Sequence, residues 1–386
     1  MKVCAVTTWP PHKDGVALYS SDLYNQIAKL LDLVVVANTL TQKELAESTE
    51  KEDDNILRCW RRGPWFLFDI FRSVIKTRSH SVHLQHGWLL YGGFISSIFF
   101  PVLLLFFRLS RKPSVVTIHT VIRKDAQLYR NFLVNFLARM AILFVLKSIV
   151  QFADKLIVHN LLMKVTLQKE YGANVDKIVI IPHGVKSAFS PEVSQKEREI
   201  SIMSLGFLRK GKGIGYLLEA FEKFLEKYPD AKLIMVGGTH AHDKKDQTEM
   251  FKHFLTPRIH KQVLFTGFVN ENRLKQLIWN SDIIVLQSTE PYYVEASGAL
   301  ATVADYGKPV VCSKVPKFQS ELQNEEHYLA VSSSDSTELA QTLAVLMKNE
   351  GLRNRLGENL RKEMKSRGWS TVAAEHIKLY TQLLKT

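Results

Sequence analysis

The chain has 386 residues, with 51 Lys and Arg against 38 Asp and Glu, and a pI near 9.4. Its 46% hydrophobic and 23% charged residues exclude a globally disordered protein. The length suits two domains of about 150 to 200 residues. The net charge of +13 favours an anionic partner: nucleic acid, a phosphate-bearing metabolite or an anionic membrane surface.

The cysteines and the first residues indicate the compartment. Cys4, Cys59 and Cys312 are far apart in sequence and form no C-x-x-C pair, which fits a reducing environment. The opening MKVCAVTTWPP lacks the apolar core and cleavage site of a signal peptide and reads as a strand ending in a Pro-rich turn. We therefore expect a cytoplasmic protein.

Short apolar runs alternate with helical patterns along the chain, which predicts parallel sheets covered by helices on both faces. The predicted strands are KVCAVT, DLVVVAN, NILRCW, SVHLQH, SVVTIH, KLIVHN and KIVIIP, then EISIMSLG, KLIMVGG, VLFTGF, DIIVLQS, PVVCS and HYLAVS. We expect an α/β protein with two doubly wound sheets. The predicted divisions are a first domain over 1–185, a polar hinge over 186–198, a second domain over 199–365, and a helix over 366–386 returning toward the first domain.

One apolar segment challenges this prediction. Trp88 to Phe107 is a run of 20 residues without a charge, long enough to cross a bilayer. It lies between SVHLQH and SVVTIH, two strands that should share one sheet, and a spanning helix would separate them. We therefore expect a buried or membrane-grazing helix.

A second segment, Arg58 to Arg78, interleaves six cationic residues with tryptophan and phenylalanine. This pattern is typical of a helix in a lipid headgroup layer. The alternative is a helix packed on the sheet with a solvated cationic face. Together the two segments predict peripheral contact with an anionic membrane on its cytoplasmic face.

Candidate chemistry lies in the loops that follow strands of the second domain, because ligands of open parallel sheets bind beyond the carboxyl ends of the strands. The loop GFLRKGKG supplies Arg209, Lys210 and Lys212 among glycines. A later helix opens with Ser297 and Gly298, where free N–H groups attract anions. These loops predict a diphosphate site, and their glycine spacing matches neither a Walker loop nor a G-x-G-x-x-G fingerprint.

These segments carry a family resemblance. GFLRKGKGIGYLLEA, PDAKLIMVGG, LFTGFV and the Ser-Gly helix with GKPVVCS resemble the C-terminal domain of retaining GT-B glycosyltransferases, the large family that includes sucrose synthase and glycogen synthase relatives. PPHKDGVALYSSDLYNQIAKLL, VVTIHT, ADKLIVHN and IIPHGV are similar to its N-terminal domain and follow the expected order.

The resemblance implies a GT-B fold, with an acceptor-side and a nucleotide-sugar-binding Rossmann-like domain facing a central cleft. It also implies metal-independent transfer of a hexose, with retention, from a UDP-sugar or GDP-mannose to a saccharide or lipid-linked acceptor.

The resemblance also assigns residues. Lys212 and Arg209 neutralise the donor diphosphate, and the Ser297 and Gly298 amides bind its oxygens. Fixed cations there favour the transition state, because negative charge grows on the leaving oxygens. In the first domain the resemblance implies that the loop with Gly15 approaches the donor phosphate and the acceptor, and it places His119 near the transferred sugar.

Two departures from the family pattern concern the donor. Phe207 follows Gly206 where the family often has arginine, and Arg209 is the candidate substitute. Two family glutamates eight residues apart fall on Val294 and Thr302, with Glu295 one position away. The candidate catalytic residues are Lys212, Arg209, His119 and Glu295; the candidate donor-binding residues are Gly15, Gly206, Lys212, Glu290, Ser297, Gly298 and Thr302.

We expect no cofactor and no metal. The sequence has no convincing D-x-D pair: Asp53 and Asp54 lie in a polar loop, and Asp243 and Asp246 lie among lysines. Four other histidines are interpreted as structural or solvated: His86 and His183 at strand ends, and His240 and His242, which lack a third ligand.

Other functions stay open at this point. A sugar-nucleotide epimerase has a related architecture but needs a buried acid and base over the sugar, which the sequence does not identify. A catalytically silent GT-B subunit that binds an anionic partner fits the two departures. Nucleic-acid binding is least supported, because the positive charge is not concentrated in a recognisable module.

Overall fold

The computed structural model of the chain describes residues 1–47, 53–188, 199–239, 251 and 254–385. The chain forms two compact units. The first contains Met1–Gly184, Tyr292–Ala296 and Trp369–Thr386, and the second contains Val185–Pro291 and Ser297–Gly368. Most of the predicted hinge, 189–198, lies outside the described residues.

The part of the first unit from Met1 to Gly184 contains these strands: β1 (Lys2–Thr7), β2 (Asp32–Asn38), β3 (Ile56–Trp60), β4 (Ser81–His86), β5 (Ser114–Ile118), β6 (Thr120–Ile122), β7 (Lys155–Val158) and β8 (Ile178–Ile180). All but β6 form one sheet in the order β3-β2-β1-β4-β5-β7-β8, and every pair in it is parallel. The strand order reverses between β1 and β4, as expected of a doubly wound sheet.

Helices cover both faces of this sheet: α1 (Gly15–Ile27), α2 (Gln42–Glu47), α3 (Phe66–Lys76), α4 (Phe94–Ser97), α5 (Phe100–Leu109), α6 (Phe132–Phe152) and α7 (Leu161–Tyr171). Because side chains alternate along a strand, β1 contributes to two apolar cores. Val3 and Ala5 pack with α1, whereas Cys4 and Val6 pack with α3, α5, α6 and α7.

The uncharged segment from Trp88 to Phe107 does not form one long helix. It contains α4 and most of α5, and Phe100, Leu103 and Phe107 are completely buried. The expectation of a buried rather than spanning helix is confirmed, because these side chains complete the core between α3 and α6.

The second unit contains β9 (Ser201–Leu205), β10 (Lys232–Val236), β11 (Val263–Gly267), β12 (Ile283–Leu286), β14 (Val310–Ser313) and β15 (Leu329–Val331). They form a parallel sheet in the order β11-β10-β9-β12-β14-β15. Its helices are α8 (Ile214–Leu225), α9 (Glu271–Asn280), α10 (Gly298–Val303), α11 (Pro316–Gln319), α12 (Ser336–Lys348) and α13 (Glu350–Met364). The prediction of two doubly wound parallel sheets is confirmed.

Two short strands were not predicted, β6 and a strand that changes the assignment of its segment. The remaining strand, β13 (Tyr293–Glu295), pairs antiparallel with β6, and Glu295 lies opposite Thr120. The sequence-based division put this segment in the second domain, which is wrong, because the backbone pairing joins it to the first unit.

The last helix, α14 (Trp369–Leu383), belongs to the first unit. Trp369, Val372 and Tyr380 join the α1 side of the core, together with Leu23 and Ile27 of α1. The C-terminal residues therefore complete the cover over one face of the first sheet.

Candidate functional site

A small pocket lies at the switch point of the second sheet. The strand order reverses between β9 and β12, so the loops leaving these strands diverge and leave a crevice. Gly206 follows β9, Gln287 follows β12, and both line the pocket together with Phe207, Lys212 and Val236. The structure therefore brings the predicted residues Gly206 and Lys212 into one site.

Glycines allow the strand ends to approach each other at this pocket. The backbone N–H of Gly206 donates to the Val236 carbonyl at 3.0 Å. A Cβ on Gly237 would lie 2.0 Å from the Gly206 carbonyl oxygen, and both glycines have positive φ, +149° at Gly206 and +125° at Gly237. A side chain at Gly237 would thus push the Gly206 loop away.

The loop then makes a tight turn into α8. The Lys212 N–H donates to the Arg209 carbonyl at 3.0 Å, and Gly213, at φ +64°, is the residue before the helix. This turn holds Lys212 at the pocket, where its cation can act on an anion.

Arg209 has a protein partner of its own. Its Nη1 and Nη2 atoms each donate to the Glu290 carboxylate at 2.7 Å, the two-point geometry in which this ion pair is strongest. Glu290 also packs on Gly211, where an added Cβ would lie 2.4 Å from its Oε1 atom. The structure thus joins two predicted site residues, with Glu290 orienting the arginine.

Gln287 is a pocket residue that the sequence analysis missed. It is only 7% exposed, and its Oε1 atom is buried without a hydrogen-bond partner. Such an oxygen costs about 1–3 kcal/mol unless something donates to it. Its position directly after a buried strand was the available signal, since strand ends at a switch point bind ligands.

The helix start at Ser297 is formed as predicted, but it is short. The Ser297 side chain caps α10 by accepting from the Leu300 N–H at 3.2 Å. The hydroxyl of Thr302 donates to the Gly298 carbonyl at 2.8 Å, so it is already used inside the helix. Ser297, Gly298 and Thr302 therefore all belong to this short helix or to its N-cap.

A buried ion pair lies at the same helix start. Arg367 donates to Glu321 at 2.8 Å, and both side chains are largely buried. Burial raises the pKa of Glu321, while Arg367 and the Ser297 backbone N–H oppose the rise. Arg367 is therefore the main group that favours the charged form of Glu321.

His119, in the first unit, lies in a chain of hydrogen-bonding side chains. Its Nε2 atom is 2.7 Å from Gln85 Oε1, and its Nδ1 atom is 3.4 Å from Nε2 of His159. Nδ1 of His159 is 3.0 Å from the Ile181 carbonyl. Burial, and after it the neighbouring histidines, lowers the pKa of His119 well below its ordinary value, and burial lowers that of His159 to about 3. Both rings are therefore neutral at pH 7.

Two groups that can only accept set the direction of these contacts. Because the Ile181 carbonyl and Gln85 Oε1 are acceptors, His159 donates from Nδ1 and His119 donates from Nε2. In neutral rings, Nδ1 of His119 and Nε2 of His159 then carry no proton, so the 3.4 Å contact between them is not a hydrogen bond. Nε2 of His119 therefore has a protein partner, and Nδ1 is left as an acceptor.

The two other predicted residues of the first unit lie at the ends of secondary-structure elements, Gly15 at the start of α1 and Glu295 at the end of β13. Gly15 is the exposed first residue of α1, beyond the carboxyl end of β1, and a Cβ there would meet nothing within 4 Å. Glu295 accepts a hydrogen bond from the Thr120 hydroxyl at 2.8 Å, and Thr120 directly follows His119 in sequence. The β6–β13 pairing therefore brings Glu295 beside the His119 loop.

Over the described ranges, no group of three or more His, Cys, Asp or Glu side chains is placed to hold a metal ion. His240, His242, Asp243 and Asp246 lie outside the described residues. Metal independence stays a prediction.

Two family models cover most of the chain. The model described as glycosyl transferases group 1 matches residues 186–363, and the model described as glycosyltransferase family 4 matches residues 13–189. The two matches meet near the boundary between the units. The pocket described above lies in the group 1 match.

Curated relatives and solved structures agree with these matches. An uncharacterized glycosyltransferase of Methanocaldococcus jannaschii is 29% identical over 220 residues, 53% of this chain and 54% of the relative. A phosphatidyl-myo-inositol mannosyltransferase of Mycobacterium leprae is 24% identical over 213 residues, 54% of this chain and 51% of the relative. The chain thus aligns with about half the length of these relatives.

The structure of Anabaena HepE in complex with UDP-glucose has a TM-score of 0.74 at 15% identity and covers 99% of this chain and 100% of that one. This likeness shows the fold, which is the GT-B fold of two Rossmann-like domains. With both halves matched in order and the sheets wound as the motifs predicted, the chain belongs to the glycosyl transferases group 1 family.

Proposed function

We propose that this chain transfers a hexose from a nucleoside-diphosphate sugar, a UDP-sugar or GDP-mannose, to a saccharide or lipid-linked acceptor. The observation that carries the proposal is the switch-point pocket, which joins the Gly206 backbone, the Lys212 cation and the buried Gln287 amide. A nucleoside diphosphate offers negative oxygens to the Lys212 cation and polar hydrogens to the Gln287 amide oxygen, which is buried without a hydrogen-bond partner.

The chemistry follows from the charge that develops on the leaving group. As the bond from the sugar to the diphosphate breaks, charge grows on the phosphate oxygens, and a cation aimed there lowers the barrier. Lys212 supplies this cation, and Arg209, oriented by Glu290, supplies a second. We assign these side chains the charge that a metal ion supplies in other transferases, so the reaction is metal-independent.

The remaining parts of the proposal have different support. The UDP-glucose in the Anabaena structure supports a UDP-sugar, and the name of the mycobacterial relative supports a mannosyl donor and a lipid acceptor. Retention of configuration is proposed on the motif resemblance. We place the protein in the cytoplasm, at a membrane when the acceptor is lipid-linked.

The test has two steps. Thermal denaturation of the purified protein with UDP, GDP or ADP should show stabilisation by one of the first two, because a ligand that binds only the folded state raises stability with occupancy. Release of that diphosphate from its sugar nucleotides is then measured in excess EDTA.

Turnover in EDTA supports the proposal. Stabilisation by none of the nucleotides would contradict the donor site. Turnover that needs added magnesium or manganese would contradict the assignment of the charge to side chains. Binding without turnover toward any acceptor tested would favour the silent subunit.

A further inference from the structure

The helix α6 presents an apolar surface that no other element of the described chain accounts for. Phe132 is 85% exposed, Leu133 62%, Phe136 51%, Leu137 58% and Phe144 52%. Single exposed apolar side chains are ordinary, but a cluster on one helix marks an interaction site.

These side chains form one face. At about 100° per residue, Phe132, Leu133, Phe136, Leu137, Met140 and Phe144 fall within an arc of about 140°. The buried residues Ile142, Val145, Leu146 and Ile149 lie on the opposite arc and belong to the core. Both faces of α6 are thus apolar, and only one is covered.

The charged residues on α6 and immediately before it are of one sign. No Asp or Glu occurs from residue 126 to residue 153. The charged residues of that range are Arg130, Arg139 and Lys147, and all three are exposed. The face therefore combines apolar side chains with cations, as helices that lie in a bilayer interface do.

We propose that the exposed face of α6, defined as Phe132, Leu133, Phe136, Leu137, Met140 and Phe144, docks the first unit on an anionic lipid bilayer. Aromatic and aliphatic side chains enter the boundary between headgroups and acyl chains, while Arg130, Arg139 and Lys147 contact lipid phosphates. This proposal is independent of the sugar donor.

Two other occupants fit the observations less well. Helix α6 has the length and apolar composition to cross a bilayer, but its second half is locked in the core by Ile142, Val145 and Ile149. A second copy of the chain, related by twofold symmetry, would bring the same three cations together with no acidic residue of this range to pair with them.

The two segments that the sequence analysis assigned to the membrane are less suited. Arg58 donates to the Asn38 carbonyl at 3.1 Å and to the Pro10 carbonyl, and Arg62 donates to the Leu89 carbonyl at 2.7 Å. Both arginines therefore have structural roles. Phe66 and Phe100 are buried in the core.

The test is sedimentation of the full chain with vesicles of phosphatidylcholine, alone or with phosphatidylglycerol, at low salt. The wild type should bind the mixed vesicles and bind weakly to pure phosphatidylcholine. The variant Phe132→Ser/Phe136→Ser should bind them about tenfold or more weakly, because two aromatic side chains no longer enter the interface. Serine and phenylalanine have similar helix propensities, so the melting temperature of the double variant should equal that of the wild type.

Leu30→Ser is the matched control, because Leu30 is 64% exposed elsewhere in the same unit, and it should bind like the wild type. Trp65→Ser tests the earlier assignment, since Trp65 is 74% exposed before α3.

Four results would overturn the proposal. The wild type does not bind the mixed vesicles, or the double variant binds them as tightly as the wild type. Alternatively, Trp65→Ser loses binding while the double variant does not, or alkaline carbonate fails to extract the bound protein from the membrane. If the wild type sediments as a dimer without lipid and the double variant does not, the face binds a second copy of the chain.

Discussion

The buried oxygen of Gln287 has two explanations, a ligand-binding role or a packing defect, and they predict different effects of substitution. If no ligand binds there, the buried oxygen only lowers the stability of the fold. Gln287→Leu should leave the free energy of unfolding unchanged or raise it by about 1 kcal/mol. It should also weaken nucleotide binding about tenfold, because the hydrogen bond from the nucleotide to the buried Gln287 oxygen is lost. Chemical denaturation and calorimetric titration with UDP measure the two effects.

Gln262 provides the control, because its Oε1 atom is also buried without a partner but lies just before β11, and it is not among the residues lining the pocket. Gln262→Leu should leave UDP affinity unchanged. Equal UDP affinities for the wild type and Gln287→Leu would remove Gln287 from the site.

The Arg209–Glu290 pair should behave as one unit. Glu290→Gln weakens the two-point contact, and turnover should fall about tenfold, while Arg209→Ala should cost more because the cation itself is lost. The double variant should be no slower than Arg209→Ala, since both changes disable one group. Values of kcat/KM for Glu290→Gln, Arg209→Ala and the double variant measure these losses.

A matched control for this pair is Arg258→Ala, which removes an exposed cation 3.9 Å from Glu226 in the same unit and should leave turnover unchanged. Additive losses from Glu290→Gln and Arg209→Ala would show that the two side chains act separately.

The site could be predicted only where its residues belong to a local pattern. Gly206 and Lys212 lie in one Gly-rich loop, and the pattern around them predicted their role. Gln287 follows an apolar strand, where an amide usually marks a solvated end, and its lack of a hydrogen-bond partner became visible only in the folded chain. The Arg209–Glu290 contact joins residues 81 positions apart, which no local pattern indicates.

At the scale of elements, α14 should be essential to the first unit. Tyr380 is completely buried, and its hydroxyl is 2.6 Å from Nδ1 of His83. Tyr380→Ala should lower the free energy of unfolding by about 3–5 kcal/mol, because it leaves a large cavity. Tyr216→Ala, at a residue 38% exposed in the second unit, should cost less than about 1 kcal/mol. Equal effects of the two substitutions in urea denaturation would contradict this role.

The strands of the two sheets were predictable because parallel strands are buried on both faces and read as apolar runs. The β6–β13 ribbon was not predictable, because each of its strands has only three residues and pairs with a partner that is distant in sequence. The exposed face of α6 was also missed. A helix that is apolar all round reads as a core helix, and only the packing shows which face is covered.

At the scale of the molecule, acid should destabilise the first unit through its buried histidines. Burial lowers the pKa of His86 and His159 to about 3 and that of His376 to about 4, and it lowers that of His83 well below its ordinary value. The unfolded chain takes up these protons near pH 6.5, whereas the folded chain does not. Stability is therefore complete above pH 6.5 and falls below it, by about 1.4 kcal/mol per pH unit for each histidine.

Urea denaturation of the first unit at pH 7.5, 6.5, 5.5 and 5.0, a range chosen above the ordinary carboxylate pKa values, would show this slope. His376→Gln should reduce it by about one histidine's share, about 1.4 kcal/mol per pH unit. A stability that does not change between pH 6.5 and 5.0 would contradict the assignment of these rings as neutral and buried.

The central claim is that the switch-point pocket of the second unit holds the donor diphosphate through Lys212. Its most direct test is calorimetric titration of the full chain with UDP and GDP in EDTA, comparing the wild type with Lys212→Ala and with Lys227→Ala, an exposed lysine of the same unit. We expect one nucleotide to bind the wild type and Lys227→Ala equally, and to bind Lys212→Ala at least about tenfold more weakly at unchanged melting temperature. Binding to Lys212→Ala with wild-type affinity would contradict the claim.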